Sequence, residues 1–169
     1  MLDFEKPNYK ITEYIENNNY GKFELEPLER GFGVTIGNAL RRVMLSSLPG
    51  SAIVAIKVEG AMHEFQTIDG VVEDLTTIIL NLKNVAIRNH STEQKVINLS
   101  VNEEKTVTAG DIKCDADVEI INKDLVIANV SKGGKLDIEM IVANGRGYIP
   151  SNENKVHLEE EKIGFIPID

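Results

Sequence analysis

Residues 30–50, RGFGVTIGNALRRVMLSSLPG, bring three glycines and a pair of arginines into one short stretch. These are residue types that cradle a phosphate when glycine amides and a helix N-terminus converge on it. The spacing argues otherwise. Gly31, Gly33 and Gly37 form G-x-G-x-x-x-G, one residue longer than the dinucleotide fingerprint, and no G-K-[ST] follows. Arg41 and Arg42 come a full turn or more after the expected helix start, away from amides that would hold an anion. A small phosphate- or nucleotide-binding enzyme using the 31–37 glycine loop stands as the alternative reading of this stretch.

Other chemistry-bearing residues are scattered. His63, His90 and His157 show no H-x-x-x-H spacing and have no neighbouring ligand cluster, so neither a metal site, a cofactor nor histidine-based catalysis is expected. Cys114 is the sole cysteine, which excludes an intramolecular disulfide and a cysteine zinc cage and fits a reducing, cytoplasmic home. Glu159, Glu160 and Glu161 are three consecutive carboxylates without a defined facing partner, a pattern of solvated loops more than of catalytic pairs. In NGRGYIPS, residues 144–151, Arg146 and Tyr148 suit either a partner contact or a strand exit shaped by its own glycines.

The whole chain bounds these options. Its 169 residues hold one ordinary domain or two small ones, and 42% apolar with 27% charged residues is a folding composition. Net charge is −9 and unevenly spread: residues 1–50 carry six Lys/Arg against seven Asp/Glu, and the remainder twelve against twenty. An acidic surface repels phosphate backbones, so direct nucleic-acid binding is not expected of this segment. The start, MLDFEKPNYK, lacks the basic and apolar regions of a signal peptide, and no apolar run reaches membrane-spanning length.

The elements that must position these residues follow from periodicity. KFELEPLE alternates Phe23 and Leu25 with Glu24 and Glu26, the period-two sign of a strand with one wet face. The helix after Gly37 is apolar on two sides: Ile36, Ala39, Leu40 and Val43 form one stripe, and Leu45 and Leu48, with Arg41, another. It reads either as a central core helix or as a helix shared between its own domain and a partner chain, where arginines pair bidentately with carboxylates. SSLPGS at 46–51 marks a boundary. Beyond it, SAIVAIKVEGAMHEFQT predicts a hairpin bent near Glu59–Gly60, and a helix follows from about Asp69, its expected N-cap, to Lys83. Val71, Val72, Leu75, Ile78, Ile79 and Leu82 form its apolar stripe. VAIRN, KVINLSV, ADVEII, DLVIANV and KLDIEMIVA then read as strands, the last with Leu136, Ile138, Met140 and Val142 alternating. The pattern is α+β and mostly antiparallel.

LEPLERGFGVTIGNALRRVMLSSLPGSAI, VEGAMHEFQTIDGVVEDLTTIILNLKNVAIR, VTAGDI with DVEIIN, and NGRGYIPS occur in that order, and in that order they resemble the N-terminal domain of the bacterial DNA-directed RNA polymerase alpha subunit. The resemblance runs nearly end to end. It implies a non-catalytic assembly platform within a nucleotidyltransferase complex. Residues 1–49 would be the first part of a dimerisation subdomain, a strand plus docking helix, and 50–169 an inserted α+β subdomain. It implies that Ile36, Leu40, Val43 and Leu48 belong to the dimerisation helix facing a second alpha subunit. Arg42 and Leu45, with Arg41 beside them, map to the beta-subunit contact, and Lys83 to the beta-prime contact, although Lys83 equally suits a cation at a helix C-terminus. Glu159, Glu160 and Glu161 resemble a region where some transcription activators dock. The sequence ends at GFIPID, before the family's return segment, linker and C-terminal DNA-binding domain, so the dimerisation subdomain is expected to be incomplete here.

Overall fold

The computed structural model describes residues 6–16, 20–157 and 164–169. They divide into two units, Met1–Leu45 and Ser46–Asp169.

In the first unit, β1 (Asn8–Ile15) and β2 (Tyr20–Glu26) form an antiparallel hairpin. Tyr9 faces Leu25 and Ile11 faces Phe23, so the alternation seen in KFELE builds an apolar row across both strands. The expected single wet face is not what forms. Every residue of both strands is exposed, because among the described residues no layer of this unit covers the apolar row. Gly31, at φ +93°, makes the turn that starts α1 (Phe32–Ser46), and the Phe32 amide donates to the Glu29 carbonyl at 3.1 Å. The helix therefore begins at Phe32, and Gly33 and Gly37 lie inside it instead of in a phosphate-cradling loop. The Gly37 amide, beyond the first turn, is engaged with the carbonyl four residues back and cannot join the others around an anion. The helix ends at Ser46 because Pro49 disfavours helical backbone at the residue before it. Leu48, expected on the helix, thus falls beyond it.

The second unit opens directly with β3 (Pro49–Val58). Its partners are not the neighbouring residues 61–67, which form turns and one short bridge, but β9 (Leu136–Arg146). The predicted bend at Glu59–Gly60 is present, with Gly60 at φ +85°, but no second hairpin strand returns from it. The reason is competition: β9 offers a long alternating apolar strand, and Leu136, Ile138, Met140 and Val142 are all buried against β3 and the core. β5 (Lys95–Val101) pairs with the other edge of β9, and β4 (Ile87–Asn89) joins β3 to β7 (Val118–Ile120). A short terminal strand, β10 (Ile166–Pro167), also pairs with β3, completing a six-stranded antiparallel sheet. β6 (Lys105–Thr108), not predicted, pairs with β8 (Val126–Val130) in a separate two-stranded sheet. The α+β, antiparallel architecture is as expected from the pattern.

α2 (Leu75–Leu82) covers this framework, and α3 (Ser151–His157) lies near the chain's end. The helix expected from Asp69 begins six residues later. Gly70 takes φ +78°, Val71 bridges to Val130, and the Val72 amide donates to Asn129, so this stretch is drawn onto β8. The Glu73 carboxylate fixes it there by accepting from the Asn129 amide and side-chain nitrogen, both at 2.7 Å. Asp74, not Asp69, is the N-cap: its carboxylate accepts from the Thr77 amide at 2.8 Å. Leu75, Ile78 and Leu82 bury completely, whereas Val72, outside the helix, is exposed.

Candidate interaction surfaces

The first surface is α1. None of its residues is buried, and Ile36 alone is half-covered. Leu40 is 56% exposed, Val43 54% and Leu45 61%, while Arg41 and Arg42 are exposed beside them. A helix of this composition in a finished domain hides one stripe. Here both stripes stay open within the unit, together with Tyr9, Ile11 and Phe23 of the hairpin. Leu48, also exposed, belongs to the second unit. There it lines a cavity of about 440 Å³ with Ile53, Ala143, Arg146, Tyr148 and Ile168.

The second surface surrounds Lys83, the C-cap residue of α2. Its placement near the last carbonyls fits a cation at a helix C-terminus. Its ammonium also donates to Asp169 Oδ1 at 2.8 Å, and Asp169 Oδ2 accepts from the Tyr148 hydroxyl at 2.5 Å. Hydrogen bonds from Lys83 and then Tyr148 pull the Asp169 carboxyl down to about 2, and the same carboxylate holds the Tyr148 phenol above its ordinary value. Sequence reasoning singled out Lys83 but missed Asp169. Eighty-six residues separate the two, and no local pattern links them.

Glu159, Glu160 and Glu161 lie outside the described residues. Among the described residues no group of three His, Cys, Asp or Glu side chains is arranged to hold a metal ion, and no helix is long and apolar enough to cross a membrane. A third surface escaped the sequence reading: Met62 and Phe65 stand 93% and 77% exposed in the turns after β3. Assigning residues 61–67 to a hairpin strand hid them.

These surfaces sit on a recognisable framework. The profile of the RNA polymerase Rpb3/RpoA insert domain matches residues 54–169, most of the chain. The chain belongs to that family. Over all 169 residues it is 54% identical to the DNA-directed RNA polymerase subunit alpha of Symbiobacterium thermophilum and to that of Desulforamulus reducens, and 51% identical to that of Oceanobacillus iheyensis. In each case the alignment covers 100% of this chain and 53% of the relative, so the chain spans about half the length of the curated relatives it matches. The insert-domain match begins at Val54, within β3, and takes in the whole of α2, the remaining sheet strands and the Lys83–Asp169–Tyr148 cluster. The hairpin and α1 precede it and are covered by the full-length similarity alone.

Proposed function

We propose that this chain is the assembly-platform portion of a bacterial RNA polymerase alpha subunit, acting in DNA-directed transcription through protein contacts and without catalytic residues of its own. In this reading residues 1–49 contribute to dimerisation and 50–169 form the inserted subdomain. Ile36, Leu40 and Val43 face a second alpha subunit, with Leu48 just past the helix end. Arg42 and Leu45, flanked by Arg41, receive the beta subunit, and Lys83 receives beta-prime. Glu159–Glu161 are a candidate activator contact.

The observation that carries the reading is α1, a fifteen-residue helix with apolar side chains on two sides and none of them buried. Such a surface is stable in water only when another layer covers it, and exposed contiguous apolar area marks protein contacts. End-to-end similarity to DNA-directed RNA polymerase alpha subunits supports reading the partners as other subunits of such a polymerase.

The test is stepwise assembly with the full-length subunit. Arg42→Ala should weaken capture of beta by roughly thirtyfold, the ~2 kcal/mol typical of an interfacial arginine. Alanine favours helix, so α1 should persist by circular dichroism. Unchanged beta capture by a well-folded variant would remove Arg42 from the contact. Saturable nucleotide binding by the isolated chain, with no capture of either large subunit, would overturn the platform reading altogether.

A further inference from the structure

Three separate segments meet at one carboxylate. Lys83 arrives from the C-terminal end of α2, Tyr148 from just past β9, and Asp169 from just past β10. The backbone around Asp169 is itself fixed: the Ile168 amide donates to the Val54 carbonyl at 2.8 Å, and Asn154 Nδ2 donates to the Ile168 carbonyl at 2.7 Å. Lys83 and Asp169 then line a groove of about 250 Å³ shared with Glu64, Leu80, Ser151 and Pro167.

We propose that Asp169, anchored by Tyr148, is the positioning residue that holds the Lys83 ammonium in place for its partner. The inference rests on the reading of Lys83 as the beta-prime contact. A lysine has a flexible four-carbon stem, and ordering it at the moment of binding opposes association. Asp169 orders it beforehand, which removes that penalty from the binding step. Tyr148 performs the same service for Asp169, since a carboxylate held from both sides cannot rotate away from the lysine. The pair is also electrically neutral. An ammonium has three N–H donors, and the one on Asp169 leaves donors for the partner. A partner carboxylate would meet Asp169 as well as Lys83, so the surface favours a neutral acceptor such as a backbone carbonyl or a side-chain amide.

The experiment measures recruitment of beta-prime to a preformed alpha–beta complex, using full-length alpha carrying K83A, D169N, Y148F or the K83A/D169N pair. The expected result is a loss of about tenfold in affinity for K83A, a similar loss for D169N, and no further loss in the double variant, because two residues acting as a unit are non-additive. Y148F, which keeps the carboxylate, should lose about threefold. Capture of beta should be unchanged throughout. NMR of ring-labelled tyrosine should show the Tyr148 phenol ionising at lower pH in D169N than in the parent, while the amide spectrum stays that of the folded subunit and so separates loss of the Asp169 bond from loosening of the fold.

Distinct failures separate the two levels of the argument. If K83A weakens recruitment and D169N does not, or if their losses add, the positioning role falls while the Lys83 contact stands. If K83A has no effect, the Lys83 contact falls and the positioning role with it. If D169N unfolds the subunit, Y148F decides: full wild-type recruitment by that variant overturns the proposal.

Discussion

Replacing Leu40 by alanine in the full-length subunit should weaken self-association far more than it perturbs the monomer. Leu40 lies mid-way along α1 with 56% of its surface exposed. Complete burial of a leucine is worth about 1.5–3 kcal/mol, so covering the part now open contributes roughly 1 kcal/mol. In a two-fold dimer the same patch is used by both copies, and each substitution counts twice. The expected loss is about 2 kcal/mol per dimer, a rise of roughly thirtyfold in the dissociation constant. Monomer stability should change little, because more than half of this side chain is already open to water and alanine is the better helix former. Sedimentation equilibrium across a concentration series reads the constant directly. Leu80→Ala is the matched control, since Leu80 is 55% exposed on α2 in the other unit and should leave the dimer intact. A shift below threefold for Leu40→Ala, or an equal shift for Leu80→Ala, would refute the assignment of the α1 stripe to the dimer contact.

Two further outcomes follow from the second unit. Gly134→Ala should destabilise it by about 2 kcal/mol or more, lowering the thermal midpoint by roughly 4–8 °C. A methyl there would overlap the Gly70 carbonyl oxygen and sit 2.8 Å from the Gly70 carbonyl carbon, backbone atoms that cannot rotate aside, and calorimetry showing no change would contradict that packing. The Asp169 link should survive mild acid: with its carboxyl lowered from 3.8 to about 2, its contribution is complete above the ordinary value and is lost only as pH falls through about 2. Carboxyl carbon shifts of Asp169 should titrate accordingly, and K83A should move that titration back up toward the ordinary range.

Much of the framework was legible because its signals are local. The alternation Leu136, Ile138, Met140, Val142 describes a strand buried on one face whatever it pairs with, and Leu75, Ile78 and Leu82 describe a helix face in the same way. Boundaries were less legible. A helix from Asp69 to Lys83 is consistent with the apolar stripe, and what shortens it is Glu73 gripping Asn129, a residue 56 positions away. Strand pairing was illegible for the same reason. Residues 61–67 have enough alternation to return as a hairpin, but β3 gains more from the long apolar face of β9.

The surfaces divide along the same line. Residues 30–50 by themselves determined that one helix would carry apolar side chains on two sides with paired arginines, since side-chain direction follows from helical period alone. They also excluded the dinucleotide fingerprint by spacing. Pro49, by its local effect on the residue before it, keeps Leu48 off the helix. Only the tertiary structure decided which of those faces go uncovered and that Lys83 meets Asp169 and Tyr148. A period is a property of neighbours in the chain. Burial and charge pairing depend on which distant segments win the competition for each edge and face, and that is settled only when the sheet closes.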